Sequence, residues 1–391
     1  MQRHFLDVAD AQPDPYVRQK HAVYLEQSRE AVAKVLNASK DECVFVKNAT
    51  TGVSTVLHNL AFQPGEVLIY FEAVYGAVEK GIVSLQEHSS LQARKVDFQY
   101  PITEDELARR FREVVRHTRN VEGLTVRAAV FDAIVSNPGV RFPFERVTAL
   151  CKDEGILSVI DGAHGIGHVP LDMGALQPDF FVSNCHKYDI LSPVDIYFIR
   201  TTLPTSWGFI PAPTSPETRP SIFQDPNQPQ EKTPFEELFE FVATSDDSAY
   251  LCVPAALKFR AEVCGGERAV MAYCQKVANE GADAVAAILG TEVMQEPGLK
   301  PGETSRMRQC SMTTVRLPIA VGSSSGSASA AAGISPEDVP KLGPWLQRAM
   351  IEEYHTFVPV FPYSGSLWVR LSGQTVSLRP SLLAWSILMH K

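Results

Sequence analysis

The sequence predicts an α/β fold: a large domain built on a mainly parallel sheet, followed by a smaller α+β domain at the C-terminus. Three observations predict it. Between residues 40 and 200, short apolar runs alternate with amphipathic stretches, the pattern of strands joined by crossover helices. The runs are nearly continuous in apolar residues, as strands covered on both faces are. After residue 255 the alternation stops and the composition changes.

Taken in order, "ECVFVKN", "EVLIYFE", "RAAVFDAIVS", "ILSVIDGA" and "PDFFVSN" read as strands. The stretches "TEDELARRFREVVRHTRN" and "FERVTALCKDEG" read as helices between them. After "VFVKN", Val53, Val56, Leu57 and Leu60 recur at i, i+3, i+4 and i+7, one apolar helix face with Thr50 or Thr51 as its N-cap. Residues 211–236 are rich in proline and read as a long loop. "YLCVPAALKFRAEV" reads as a helix leading into the second domain. The expected division is 1–255 for the large domain and 256–391 for the small one, with a flexible Gly/Ser/Ala insertion near 321–338.

Composition narrows the functions. A net charge of −9 over 391 residues leaves no basic footprint for nucleic acid. No apolar run reaches the roughly 18–20 residues of a membrane span, and "MQRHFLDVAD" has no apolar signal core; a cytoplasmic location is expected. Seven cysteines are scattered without a CxxC pair, which reads as reduced thiols and no zinc site. His164 and His168 have the spacing of a helical metal pair, but Gly162, Gly165 and Gly167 argue against a helix there. Gly322-Ser-Ser-Ser-Gly326 matches the hydrolase elbow in letters; the motif needs a strand before it and a helix after it, and neither is expected. No GxGxxG follows the first strand, which excludes a nicotinamide fingerprint.

Ligands of parallel sheets bind beyond the carboxyl ends of the strands. Three signals lie there. The helix start at Ala49, Thr50 and Thr51 offers backbone N–H groups and hydroxyls to an anion, although an ordinary capped helix shows the same letters. Asp161 follows a wholly apolar run, where a carboxylate is costly without a cation or donors; it either caps the next segment or holds a protonated ring nitrogen. Lys187 lies 26 residues further on, one helix-and-strand unit later. A phosphate cradle, an acid for a pyridinium and an amine for an imine are together the requirements of pyridoxal 5'-phosphate.

These residues resemble the class-V aminotransferase family of fold-type-I pyridoxal phosphate enzymes. "DGAHGIGHVPLDMGALQPDFFVSNCHKY" is similar to the family stretch from the ring-nitrogen aspartate to the Schiff-base lysine. "PDPYVRQKHAVYLEQSREAVAKVL", "KNATTGVSTVL", "NPGVRFPFE", "SNCHK", "LPTSWGF" and "LWVRLSGQ" resemble its fungal isopenicillin N epimerase-like branch, which includes a hercynylcysteine sulfoxide lyase. The resemblance implies catalytic roles for Lys187, Asp161 and His164. It implies a phosphate cradle of Ala49, Thr50 and Thr51, helped by Ser183 or Asn184, His186 and Thr244. It also implies ring contacts from Tyr75, Ser136 and Asn137, and a substrate-carboxylate fork on Arg370, which otherwise reads as a surface arginine at a strand edge. The implied partner is a small amino-acid substrate, the implied assembly a homodimer, and the implied reaction C–S cleavage. The alternatives are an amino-acid epimerase, an aminotransferase, or a degenerate relic without catalysis. Relative to the family, the N-terminal Asn/His-Gly-Ser-Phe-Gly segment has no counterpart, the stretch after Tyr188 is short, and the ending after Gln374 diverges.

Overall fold

A computed structural model describes residues 1–185, 236, 239–240, 246–321, 332–335 and 337–374. His186, Lys187 and Thr244 lie outside the described residues, as does almost all of the long loop read at 211–236. The chain forms two compact units, one of residues 1–96, 108–133 and 143–267, the other of 97–107, 134–142 and 268–391.

The first unit opens with helices α1 (Gln2–Ala11), α2 (His21–Leu36) and α3 (Ala49–Asn59). Its sheet follows: β1 (Glu66–Phe71), β2 (Gln92–Val96), β3 (Thr125–Asp132), β4 (Leu157–Gly162) and β5 (Phe180–Ser183). The strands lie in the order β2-β1-β3-β4-β5 and every pairing is parallel. Helices α4 (Gly76–His88), α5 (Glu104–Asn120) and α6 (Phe144–Asp153) supply crossovers, and the short α7 (Met173–Leu176) precedes β5. Val130, Val159, Phe180 and Val182 pack with Val53, Val56 and Leu57 of α3. On the alternate residues, Phe71 stacks on Phe111 at 5.6 Å and meets Phe131 edge-on at 6.0 Å. Each such aromatic removed from water contributes ~1.5–3 kcal/mol, so both faces hold the sheet.

Two expectations need correction here, and one strand was not read. "ECVFVKN" is buried but joins no strand. Its carbonyls are taken by side chains instead: Cys43 O accepts from Arg29 Nε at 2.7 Å, and Val46 O from the Tyr250 hydroxyl at 3.4 Å. "RAAVFDAIVS" is divided, because β3 stops at Asp132 and Ile134 bridges Arg141 within the second unit. β2 went unread because its sequence, "QARKV", is polar; its burial fits a half-covered strand.

The second unit includes α9 (Glu267–Leu289), which follows α8 (Val253–Glu262), and the strands β6 (Met312–Val321), β7 (Ala332–Ile334), β8 (Val360–Tyr363) and β9 (Ser366–Ser372), with α10 (Val339–Tyr354) between β7 and β8. The sheet order is β7-β6-β9-β8, with β7 parallel to β6 and the other pairs antiparallel. Ala282 and Val285 of α9 and Leu346 and Met350 of α10 bury the β6–β9 residues Val315, Leu317, Leu367 and Val369. β6 runs directly up to Gly322, correcting the expectation that no strand precedes the GxSxG letters; Pro318, which disguised the run, falls where its register shifts.

Candidate active site

Asp161 ends β4 as the register partner of Asp132, which ends β3. Side chains alternate along a strand, so these carboxylates share the face of Val130 and Val159, the one α3 covers. Asp161 is only 4% exposed and Asp132 5%. Asp161 Oδ1 accepts the Ala163 N–H at 2.9 Å, and its carbonyl accepts the Ala133 N–H at 2.8 Å. Asp132 was missed in the sequence, although "VFD" carries the same signal as "VID".

α3 begins beside β5 because Gly52 has no side chain. A Cβ there would stand 2.5 Å from Val182 Cγ1 and 3.3 Å from Val46 Cγ2. The helix cap is Asn48, not Thr50 or Thr51: Asn48 is extended, and its Oδ1 accepts the Thr51 N–H at 2.7 Å and the Thr51 hydroxyl at 2.8 Å. Ala49 is buried, whereas Thr50 and Thr51 are exposed at the helix start.

Beyond β4 the segment 163–168 turns rather than forming a helix. Ser183 fastens it, donating to Gly162 O and accepting the Ile166 N–H at 3.3 Å. Asn184 is 4% exposed, and its Oδ1 has no hydrogen-bond partner among the described residues. His164 is half-buried and meets His168 edge-on at 5.9 Å. Tyr75, after β1, is 49% exposed and immediately precedes α4. Among the described residues no cluster of His, Cys, Asp or Glu could hold a metal ion, and no helix is long and apolar enough to cross a membrane.

Ser136, Asn137 and Arg370 belong to the second unit. Arg370 is no loose surface group. Its Nη1 donates to Ser136 O at 2.6 Å and lies 3.3 Å from Ser136 Oγ. Nε is buried without a partner among the described residues. Burial pulls the pKa of this guanidinium below its ordinary value, opposed weakly by Cys310.

Residues 15–205 match the class-V aminotransferase family. Over 384 residues the chain is 38% identical to the L-cysteine desulfhydrase-like protein lolT1 of Epichloe uncinata, a match spanning 95% of this chain and 84% of that one. The chain belongs to the class-V aminotransferase family. As a class-V member it is a pyridoxal 5'-phosphate-dependent enzyme. It is also 26% identical to the hercynylcysteine sulfoxide lyase of Schizosaccharomyces pombe, over 94% of this chain and 83% of that one. In fold, the class-V chain is similar to the cystine C–S lyase C-DES solved with cysteine persulfide, at TM-score 0.68 and 16% identity over 98% of this chain and 93% of that one. A cysteine desulfurase from Thermococcus onnurineus is similar at TM-score 0.67 and 14% identity, over 95% and 84%.

The class-V cofactor fits the donors present in the first unit. A helix start with exposed hydroxyls suits its phosphate, and a buried carboxylate at a strand end suits a protonated ring nitrogen. The unpartnered Asn184 oxygen leaves an acceptor in the same strand-end region.

Proposed function

We propose that this class-V enzyme is a C–S lyase acting on an amino acid or amino-acid-derived sulfur compound in fungal small-molecule biosynthesis. The observation that carries the reading is the buried Asp161 carboxylate on the α3 face of the sheet; the names of the desulfhydrase-like and sulfoxide lyase relatives support the choice of reaction.

In this reading Asp161 holds the ring nitrogen. Ala49, Thr50 and Thr51 hold the phosphate with Ser183 or Asn184, His186 and Thr244. Tyr75, His164, Ser136 and Asn137 position the ring. When bound, the cofactor supplies an electron sink for charge developing at Cα. Lys187 is the base that takes the Cα proton. Arg370 binds the substrate carboxylate and so fixes which Cα bond Lys187 meets. The C–S bond then breaks, its electrons leave with sulfur, and the departing sulfur accepts a proton. With L-cysteine and water the balance is pyruvate, ammonia and hydrogen sulfide. A homodimer is the assembly that the family resemblance implies.

The test is incubation with L-cysteine, cysteine conjugates and their sulfoxides, following pyruvate and the released sulfur product. Pyruvate release that disappears in Lys187→Ala is expected. Racemisation or keto-acid formation from other amino acids, with no sulfur donor cleaved, overturns the lyase reading.

A further inference from the structure

Arg370 is held from three directions within the second unit. Its backbone is fixed in β9, where it is the register partner of Thr314 in β6 and donates to Pro359 O at 3.1 Å. Its tip is fixed by the Ser136 carbonyl. Its stem crosses Gly139, where a Cβ would stand 2.6 Å from Arg370 Cδ and 2.7 Å from Cγ. Gly139 also has φ of +69°, a conformation that disfavours any side chain.

The loop carrying these contacts is anchored. Val135 N–H donates to Val140 O at 2.9 Å, and Arg141 N–H to Met307 O at 2.9 Å. The wholly buried Thr314 hydroxyl donates to Pro138 O and would lie 3.3 Å from a Cβ at residue 139. A single hydroxyl on β6 thus ties down the carbonyl that precedes Gly139.

Nη1 is already engaged, and Nε is buried without a partner among the described residues. The edge left for a ligand is Nε–Nη2, which receives both carboxylate oxygens side-on. We propose that Thr314 and Gly139 are positioning residues that aim this edge at the substrate carboxylate. The proposal rests on the reading of Arg370 as the carboxylate-binding residue.

Two carbonyl reagents test it on the cofactor-loaded protein: aminooxyacetate, which carries a carboxylate, and methoxyamine, which does not. Each bleaches the visible cofactor band, so no turnover is needed. In Thr314→Val the aminooxyacetate concentration for half-maximal bleaching rate rises about 10-fold, as misplacement of a gripping group by about an ångström allows. The methoxyamine response is unchanged, and Thr314→Ser restores the wild-type value. Gly139→Ala shifts aminooxyacetate in the same direction, and decides the matter if Thr314→Val does not fold. Wild-type aminooxyacetate behaviour in the folded variants overturns the proposal, as does equal weakening toward both reagents. Arg370→Ala separates the two layers: if it leaves aminooxyacetate unaffected, the carboxylate reading of Arg370 falls. If it weakens aminooxyacetate while the Thr314 and Gly139 variants do not, only the positioning role falls.

Discussion

Asp132 and Asp161 stand side by side at the carboxyl ends of β3 and β4, on one face of the sheet and almost wholly buried. Burying one carboxylate requires donors or a cation, and burying two in register concentrates that demand where parallel sheets bind their ligands. This placement supports the proposal that Asp161 partners a ring nitrogen.

Asp161→Asn keeps a side-chain oxygen for the Ala163 N–H but removes the charge. An opposing charge at such a nitrogen shifts its pKa by ~1–3 units, so turnover should fall ~10- to 1000-fold. Pyruvate release and the visible spectrum across pH measure it. Unchanged turnover in the Asn variant would remove Asp161 from the ring.

Gly52→Val should push α3 away from β5, because the added atoms meet Val182 and Val46. Overpacking of this kind costs ~1–3 kcal/mol. The proposed phosphate cradle starts on the same helix, so cofactor retention during dialysis should drop together with the urea midpoint. Loss of stability with full retention would dissociate α3 from the phosphate.

The buried thiols make the fold sensitive to alkali. Burial, and then Glu267, pushes Cys185 up to about 12; burial pushes Cys310 up to about 11. An unfolded thiol titrates near ~8.5, so the folded chain holds these protons more tightly than the unfolded one. The stability these thiols contribute is therefore fully present below about pH 8.5 and declines as pH rises toward the folded values. Thermal unfolding from pH 7 to 10.5 should show that fall, and Cys310→Ala should flatten it. A thiol reagent at pH 8 should modify the half-buried Cys252 and Cys264 before Cys43, Cys151, Cys185, Cys274 or Cys310. Rapid native labelling of Cys185 would contradict the burial assigned to it.

Much of the first unit was legible because its information is local. β1, β4 and β5 are apolar runs of strand length, and α3 shows its buried face as a heptad-scale repeat. What stayed illegible depends on partners distant in sequence. "ECVFVKN" has strand composition, yet Arg29 and Tyr250 take its carbonyls. Asn48 outcompetes the adjacent threonines as cap because its carboxamide reaches both the backbone and the hydroxyl of Thr51. In the candidate site, Asp161 was legible from one charge after an apolar run. The bracing of Arg370 was not, since Gly139 and Thr314 acquire meaning only once β6, β9 and the 135–140 loop meet.

The division of the chain has a consequence during synthesis. β3, β4 and β5 leave the ribosome in the order in which they pair, so the acidic strand ends can assemble early. The loop 134–142 cannot follow them: Pro138 waits for Thr314, 176 residues later, and Ser136 waits 234 residues for Arg370. A nascent chain released before β9 would carry strands β3 to β5 without the contacts that brace Arg370.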